Sequence, residues 1–303
     1  MPKHQTPNRH HPRQPNQRRK YLGIILVMFA LSLLLSPPTL GPGSAGAAGR
    51  GGDAVETQAE LTVRLGQNLG RVGETGIAAK DLRTGEEISL AADREFDAAS
   101  TMKLVYLARL YSEASAGRID LDEELTIPAG QVQRYGTGSI QYQPGPYRYS
   151  YRKLAELMVK QSDNTAAFVL ADKLGHDELQ VFAESHGLAK TSIGRNTTTA
   201  GDLLRLLEQL QRGEFASPEL TAEMRGFMRN TDFEDRLPAD LPKDAVVLHK
   251  TGDAAGGLSD AGIVEYRGRT YAVVIFAQGM GDKEKVAPKM AEASKDIFSY
   301  LTR

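Results

Sequence analysis

Strand-forming segments lie at both ends of residues 53–303, and the segment between them has a helical pattern. TGIAAKDL (75–82) and EISLAAD (87–93) flank an Arg-Thr-Gly turn, which predicts a hairpin near the N-terminal end. Three β-branched segments follow near the other end, at 245–249, 261–267 and 271–278. This order predicts an α/β fold whose sheet is built from both ends, with a helical part of roughly 130 residues inserted into it.

The helices are predicted from apolar spacing and from residues that begin or end helices. Thr199 followed by Asp202 is typical of a capping box, and Ser217-Pro218 places proline at a first helical position. The predicted helices cover 53–70, 152–160, 164–175, 176–187, 203–210 and about 283–301. We expect an α/β part of residues 53–99 and 236–303, a helical part of residues 100–235, and a ligand cleft between them.

The first 52 residues differ in composition from the rest of the chain. A basic stretch without acids precedes the apolar segment Tyr21–Leu35, and small residues follow at 45–47. Fifteen helical residues reach about 22 Å, less than the ~30 Å hydrocarbon core of a bilayer. The pattern predicts a cleaved export signal, with an uncleaved anchor as the alternative. Arg18-Arg19 is a weak match to a twin-arginine signal. We therefore expect a protein of the bacterial cell envelope or a secreted one.

Charge and composition exclude several classes of function. Residues 53–303 hold 30 basic and 38 acidic residues, a formal net charge of −8, which argues against a nucleic-acid partner. The chain has no cysteine, and its last 251 residues hold three histidines outside any metal-binding motif: His176, His186 and His249. We therefore expect that the protein binds no cofactor and no metal, and that these histidines have surface or packing roles. We also expect a monomer whose substrate is a small-molecule or peptidoglycan-like amide.

A serine and a lysine stand together where a buried helix begins. Ser100 and Lys103 in ASTMKL are three residues apart, so they are neighbours on one side of the first turn. A serine hydroxyl needs an adjacent base to act as a nucleophile, and Lys103 could be that base if burial and a second cation lower its pKa. The pattern is not specific alone, because Ser150 and Lys153 repeat it at a polar helix entry.

Two further motifs follow in the chain. Ser162-Asp163-Asn164 falls in a loop between two predicted helices, and Lys250-Thr251-Gly252 comes directly after the strand AVVLH. Each has a plain structural interpretation, as a helix N-cap cluster and as a strand end. A near copy, Lys190-Thr191-Ser192, follows a helix and is set aside.

Taken together, S-x-x-K, S-D-N and K-T-G in this order resemble the motifs of penicillin-binding proteins and class A β-lactamases. The resemblance covers about residues 53–303. It implies a five-stranded antiparallel sheet flanked by terminal helices, with an inserted all-helical subdomain. It also implies an acyl-enzyme formed on Ser100.

The resemblance assigns the remaining roles. It implies that the backbone N–H groups of Ser100 and Asp253 form the oxyanion hole, and that Ser162 passes a proton to the leaving nitrogen. Asn164 would hold the substrate's side-chain amide, and Lys250 with Thr251 of the K-T-G motif, which ends at Gly252, would face its carboxylate. Tyr135 is either a wall of the cleft or an exposed loop tyrosine.

The sequence departs from the class A pattern in two places. No E-x-x-L-N stretch occurs between Asn164 and Thr197, so the loop with the deacylating glutamate is missing; Glu178 and Glu184 are read as a solvated helix face. No Lys or Arg lies between Asp253 and Tyr266, and Asp253 and Asp260 would repel an anionic substrate if they faced the cleft.

Three functions remain open on the sequence. The first is a β-lactamase-type hydrolase with slow deacylation. The second is a penicillin-binding D,D-peptidase or transpeptidase, for which the missing glutamate is no obstacle. The third is a binding module without turnover, which the intact motif residues disfavour. We expect a shortened loop to leave the cleft open to larger substrates.

Overall fold

The computed structural model describes residues 56–279 and 282–303, so the predicted export segment lies outside the described residues. Its strands are β1 (Glu74–Asp81), β2 (Glu87–Leu90), β3 (Glu95–Asp97), β4 (Glu124–Ile127), β5 (Tyr147–Ser150), β6 (Thr197–Thr199), β7 (Val246–Ala254), β8 (Gly257–Tyr266) and β9 (Arg269–Gln278). Its α-helices are α1 (Gln58–Gly70), α2 (Lys103–Ser115), α3 (Tyr151–Lys160), α4 (Asn164–Leu174), α5 (His176–Ser185), α6 (Ala200–Gln211), α7 (Pro218–Phe227) and α8 (Val286–Leu301).

The main sheet is antiparallel and has five strands in the order β2-β1-β9-β8-β7. Strands from the two ends of the described chain meet where β1 pairs with β9, as in Ile77 opposite Ile275. The predicted fold class is therefore confirmed. Two short pairs, β3 with β6 and β4 with β5, were not predicted, because three or four residues carry too little periodicity to identify a strand.

The sheet is buried on both faces. Ala78 and Val274 pack towards the helical part, in a core that also contains the buried face of α2. Their neighbours Ile77 and Ile275 point to the opposite face and pack with α1 and α8. Because successive side chains of a strand point to opposite faces of the sheet, the same strands contribute apolar side chains to the core on each face.

The helix boundaries follow the capping signals of the sequence. The Thr199 side chain accepts a hydrogen bond from Asp202 N at 3.0 Å, and Ser217 caps α7, whose first residue is Pro218. Thr57 and Glu60 form a capping box at the start of α1. In the described part of the chain, no helix is long and apolar enough to cross a membrane.

Candidate active site

The predicted nucleophile lies on a 3-10 turn, Ala99–Met102, which runs into α2. The sequence predicted the first turn of an α-helix. A 3-10 helix has three residues per turn, so side chains three residues apart lie almost directly above one another. Ser100 and Lys103 are therefore more closely aligned than they would be in an α-helix. Ala99 adopts φ +47°, and its N–H donates to Asp97 Oδ1 at 2.8 Å. Asn196 adds contacts from its amide to Asp97 Oδ1 and the Ala99 carbonyl at 3.3 and 3.4 Å.

Lys103 is buried and bridges the nucleophile turn to the S-D-N motif. Its Nζ donates to the backbone carbonyl of Ser162 at 2.6 Å and to Asn164 Oδ1 at 2.9 Å, and lies 3.2 Å from Ser162 Oγ. Burial, followed by the positive charge of Lys250, holds the pKa of Lys103 well below its usual range, although Asp163 opposes the shift. A neutral amine donates two N–H groups to the two carbonyl-type oxygens and retains a lone pair for a hydroxyl.

The S-D-N motif forms a strained entry to α4. Ser162 has φ +53°, in the left-handed region that serine rarely adopts, and its carbonyl accepts from both Lys103 and Thr137 Oγ1. Asp163 is buried and caps α4 by accepting from Ala166 N at 3.0 Å. The motif therefore fulfils the structural role of a cap and brings Ser162 and Asn164 to Lys103.

A loop of residues 135–140 covers the S-D-N motif. Thr137 Oγ1 donates to the Ser162 carbonyl at 2.8 Å, and the Asn164 amide donates to the Tyr135 carbonyl at 3.2 Å. Gly138 has φ +109°, and a Cβ there would lie 2.3 Å from the Asp163 carboxylate, so only glycine fits this approach. Tyr135 is 65 % exposed and also lines the cavity that contains Ser100. It is therefore both an exposed loop tyrosine and part of the cleft wall.

The K-T-G motif lies on β7, beside the nucleophile turn. A Cβ on Gly252 would meet the Ala98 carbonyl at 2.9 Å and Ser259 Oγ at 2.3 Å. Glycine therefore lets β7 approach the backbone that carries Ser100. The sequence named Gly252 only as part of a motif, and the structure supplies this steric reason.

The backbone N–H of Asp253 points towards the free edge of β7. This strand is the last of the sheet, and on its free edge His249 N donates to the Met228 carbonyl at 2.8 Å. Backbone N–H groups of a strand alternate between its two edges, so those of Thr251 and Asp253 point the same way as that of His249. The Ser100 N–H lies in the first turn of a helical segment, where such donors have no intrahelical partner. These two N–H groups are the ones predicted for the oxyanion hole.

Lys250 is fully buried beneath the site. Its Nζ donates to the Thr251 carbonyl at 2.7 Å and lies 6.0 Å from the centre of the Phe233 ring. Burial lowers the pKa of Lys250 to about 7, with Arg236 adding to the shift and Asp260 and Asp253 opposing it. In the described part of the chain Lys250 acts on Lys103 through its charge, not through a hydrogen bond.

Arg236 is a candidate site residue that sequence reasoning missed. It is buried, and its Nη1 donates to the carbonyls of Gly252 and Ser259 at 3.2 and 3.1 Å. Its Nη2 donates to Asp253 Oδ2 at 2.8 Å. An arginine thus lies behind the K-T-G motif although none follows it in sequence. No sequence signal marked Arg236, because its loop contacts β7 only through tertiary folding.

Asp260 does not face the cleft, so of the two aspartates considered from the sequence only Asp253 could repel an anionic substrate there. Asp260 is fully buried and accepts from Leu237 N at 3.1 Å, with its Oδ1 at 2.9 Å from Nδ1 of His249. Burial alone would lower the pKa of His249, but the carboxylates of Asp260 and Glu234 outweigh it and raise this pKa to about 9. His249 is a buried, ion-paired residue, whereas Asp253 stays at the cleft with its side chain 48 % exposed.

One cavity of about 340 Å³ joins several of these residues. From the predicted set it is lined by Ser100, Lys103, Tyr135, Asn164 and Asp253. Ser162, Lys250, Thr251 and Gly252 are all buried and lie behind this surface. The two sets together place a serine hydroxyl, a buried amine and unpaired backbone donors around one open space.

The cavity continues along α4 beyond the predicted residues. Ala167, Phe168 and Ala171 line it on one side of the helix, and His176 lies at its far end. Phe168 is 42 % exposed. The eleven residues of α4 extend about 16 Å, so this arm is long enough for an extended substituent. The apolar spacing of the sequence did not indicate this arm, because from the sequence alone Phe168 cannot be distinguished from a phenylalanine buried in the core.

The two discarded motif copies lie elsewhere. Ser150 caps α3 by accepting from Lys153 N at 3.2 Å, which is the polar helix entry that was predicted. Lys190 is exposed and pairs with Asp93 at 3.1 Å. Neither copy lines the cavity that contains Ser100.

Comparisons with known proteins agree with this arrangement. The family model described as the beta-lactamase enzyme family matches residues 60–301. The chain is 25% identical to β-lactamase Toho-1 of Escherichia coli, over 90% of this chain and 96% of Toho-1. It is 26% identical to β-lactamase AST-1 of Nocardia asteroides, over 80% of this chain and 82% of AST-1.

Solved structures of similar fold also match the chain. The structure of PBP-A is 30% identical to this chain with a TM-score of 0.75, and the match covers 80% of this chain and 96% of PBP-A. A point variant of PBP-A, solved as an acyl-enzyme complex with penicillin G, is 29% identical with a TM-score of 0.76; the match covers 80% of this chain and 97% of the variant.

Proposed function

The chain belongs to the beta-lactamase enzyme family, and from this membership we propose that it is a serine hydrolase that attacks a β-lactam or a related amide with Ser100. The observation that carries the proposal is the buried Lys103, which contacts Ser162 and Asn164 one turn from Ser100. Water then hydrolyses the ester between Ser100 and the acyl group only slowly.

Acylation begins with proton transfer from Ser100 to Lys103. The depressed pKa of Lys103 favours its neutral form, whose lone pair accepts the hydroxyl proton while Ser100 Oγ bonds to the amide carbon. Negative charge develops on the carbonyl oxygen. The N–H groups of Ser100 and Asp253 stabilise that charge.

Ser162 completes acylation by passing a proton to the leaving nitrogen. Lys103 Nζ lies 3.2 Å from Ser162 Oγ, so the protonated lysine donates to Ser162, whose own proton moves to the nitrogen as the C–N bond breaks. Lys103 returns to its neutral form. No proton is gained or lost in the cycle.

Deacylation is slow because the cavity offers no well-placed carboxylate. Of the described residues that line it, Asp253 is the one acid, and its carboxylate is bound to Arg236. His176 lies beyond the C-terminal end of α4, about 16 Å from the end that carries Asn164, too far to activate water at Ser100. Glu178 and Glu184 are exposed on α5, outside this lining.

The open arm of the cavity favours a second candidate, a penicillin-binding D,D-peptidase. Phe168 and His176 extend the cavity along α4, which gives room for a peptide-like acyl donor larger than a penicillin. The same serine chemistry would serve this reaction. We also propose export, with residues 21–35 as the apolar part of the signal or anchor.

Intact-mass spectrometry of the purified protein with benzylpenicillin tests the proposal. We expect a mass increase equal to one penicillin that persists for hours, and we expect Ser100→Ala to remove it. Ser150→Ala is the matched control, because it removes the serine of the second S-x-x-K copy and should leave the adduct intact.

Three outcomes would change the assignment. An adduct that survives Ser100→Ala would show that another residue is the nucleophile. A transient adduct with loss of antibiotic would mean fast turnover and would contradict slow deacylation. The absence of any adduct, also with a D-Ala-D-Ala peptide or its thioester analogue, would favour a binding module.

A further inference from the structure

The Asp253 carboxylate contributes a negative charge to the cavity that would hold the substrate. It follows the K-T-G motif directly and lines the same cavity as Ser100. The Asp253 backbone N–H points to the free edge of β7. Because the Asp253 side chain also lines this cavity and is 48 % exposed, a charged group that a substrate places beside the K-T-G motif would lie near its carboxylate.

The nearest full positive charge is already neutralised. Arg236 is buried, and its Nη2 donates to Asp253 Oδ2 at 2.8 Å. Its Nη1 donates to the backbone carbonyls of Gly252 and Ser259, and its Nε lies 3.5 Å from the Asp235 carboxylate. Arg236 therefore has one anionic partner at the cleft, and that partner belongs to the protein.

The other positive charge, Lys250, attracts an anion only weakly. Its Nζ is turned towards the Thr251 carbonyl, and it is fully buried. Burial lowers its pKa to about 7, so only about half of the Lys250 side chains are charged at neutral pH. Thr251 adds a hydroxyl, which binds neutral acceptors as well as charged ones.

We propose that Asp253 is a specificity-determining residue that, by pairing with Arg236, selects acyl donors with a neutral amide or ester on the leaving-group side over donors with a carboxylate. A carboxylate would lie beside the Asp253 carboxylate and would have to compete with it for Arg236. A neutral polar group does not meet this repulsion. This inference rests on the proposed acylation of Ser100 and narrows its substrate class.

The test compares benzylpenicillin with its methyl ester, which differ in the charge of one group. Acylation rates are measured for wild type, Asp253→Asn and Asp253→Ser at pH 6.0 and 7.5, because a larger fraction of Lys250 is charged at the lower pH. Asparagine can still accept from Arg236, so this variant removes the charge and retains the contact. Asp240→Asn is the matched control, because it is an exposed aspartate outside the cavity lining.

We expect both Asp253 variants to raise the ratio of the acylation rate with benzylpenicillin to that with its methyl ester about tenfold over wild type. The control should behave as wild type. The acid-to-ester rate ratio is the readout, since a role in holding β7 alone would change both rates together. An unchanged ratio, or a parallel loss with both probes, overturns the proposal.

The outcome also separates this inference from the function on which it rests. Adduct formation on Ser100 with an unchanged ratio refutes the role of Asp253 and leaves the hydrolase assignment standing. If no protein forms an adduct with either probe, the acylation assignment fails, and the specificity proposal fails with it.

Discussion

Lys103 Nζ donates to the backbone carbonyl of Ser162, 59 residues later in the chain, at 2.6 Å. This bond joins the nucleophile turn to the entry of α4, and it is made by a lysine with 5 % of its surface exposed. The contact fixes the amine beside Ser162, the proposed proton donor, while Lys103 itself stands three residues after Ser100, the proposed nucleophile. It is the central relationship of the proposed site.

Replacing Lys103 should impair acylation far more than folding. We expect Lys103→Met to lower the acylation rate by about 10²- to 10⁴-fold, because the general base is lost while the buried volume is nearly kept. Wild-type acylation should rise with pH as Lys103 loses its proton, with a midpoint well below 10.5, since its pKa is depressed. Stopped-flow or mass-resolved acylation measures both effects. Lys153→Met, in the second S-x-x-K copy, is the control, and a loss of under tenfold in Lys103→Met would rule out Lys103 as the base.

The buried His249 should make stability depend on pH. Its pKa is raised to about 9, so its contribution is fully present below the unfolded value of 6.5 and is lost as the pH rises through about 9. The contribution is on the order of 3 kcal/mol. Denaturant unfolding between pH 6 and 9.5 should show a steeper loss of stability in wild type than in His249→Gln. His176→Gln, at an exposed histidine, should retain the wild-type slope; equal slopes in all three proteins would contradict the buried imidazolium.

A methyl group at Gly252 should separate β7 from the nucleophile turn. The Cβ would lie 2.9 Å from the Ala98 carbonyl, so Gly252→Ala must displace one backbone from the other. We expect about a 100-fold slower acylation and a loss of stability of about 1–3 kcal/mol. Gly256→Ala, where the added Cβ meets nothing within 4 Å, is the control. Normal acylation in Gly252→Ala would show that this close approach is not needed.

Phe168 should contribute to binding of the acyl side chain. Phe168→Ala is expected to slow acylation by benzylpenicillin roughly threefold to tenfold, because an aromatic contact is lost. Acylation by 6-aminopenicillanic acid, which lacks the aromatic group, should not change. Val181→Ala removes an exposed apolar side chain outside the cavity lining and serves as the control. A parallel loss with both substrates would place the effect in folding rather than in binding.

The secondary structure could be predicted well because its signals are local. Thr199 with Asp202 and Ser217 with Pro218 marked the starts of α6 and α7, and the structure begins those helices at Ala200 and Pro218. The β-branched segments of the C-terminal end became β7, β8 and β9. Elements of three or four residues, such as β3 and β6, were missed because their pairing depends on partners distant in sequence.

The site was predicted in part. The three motifs identified Ser100, Lys103, Ser162 and Asn164, and the structure brings these residues together. Motif order alone gave no direction for a side chain: the sequence left open whether Asp260 faces the cleft, and the structure buries it against His249. Whether the structure's arrangement catalyses acylation is the question that the variants above address.

The sequence by itself determined the helical and strand periodicity, the order of the three motifs, the net charge of residues 53–303 and the absence of an E-x-x-L-N stretch between Asn164 and Thr197. Each of these is a property of residues near one another in the chain. The tertiary structure decided that Arg236 lies behind Gly252, that its charge is matched by Asp253, and that Lys103 loses water and therefore basicity. Burial and ion pairing depend on which distant segments exclude solvent together, and folding alone settles that.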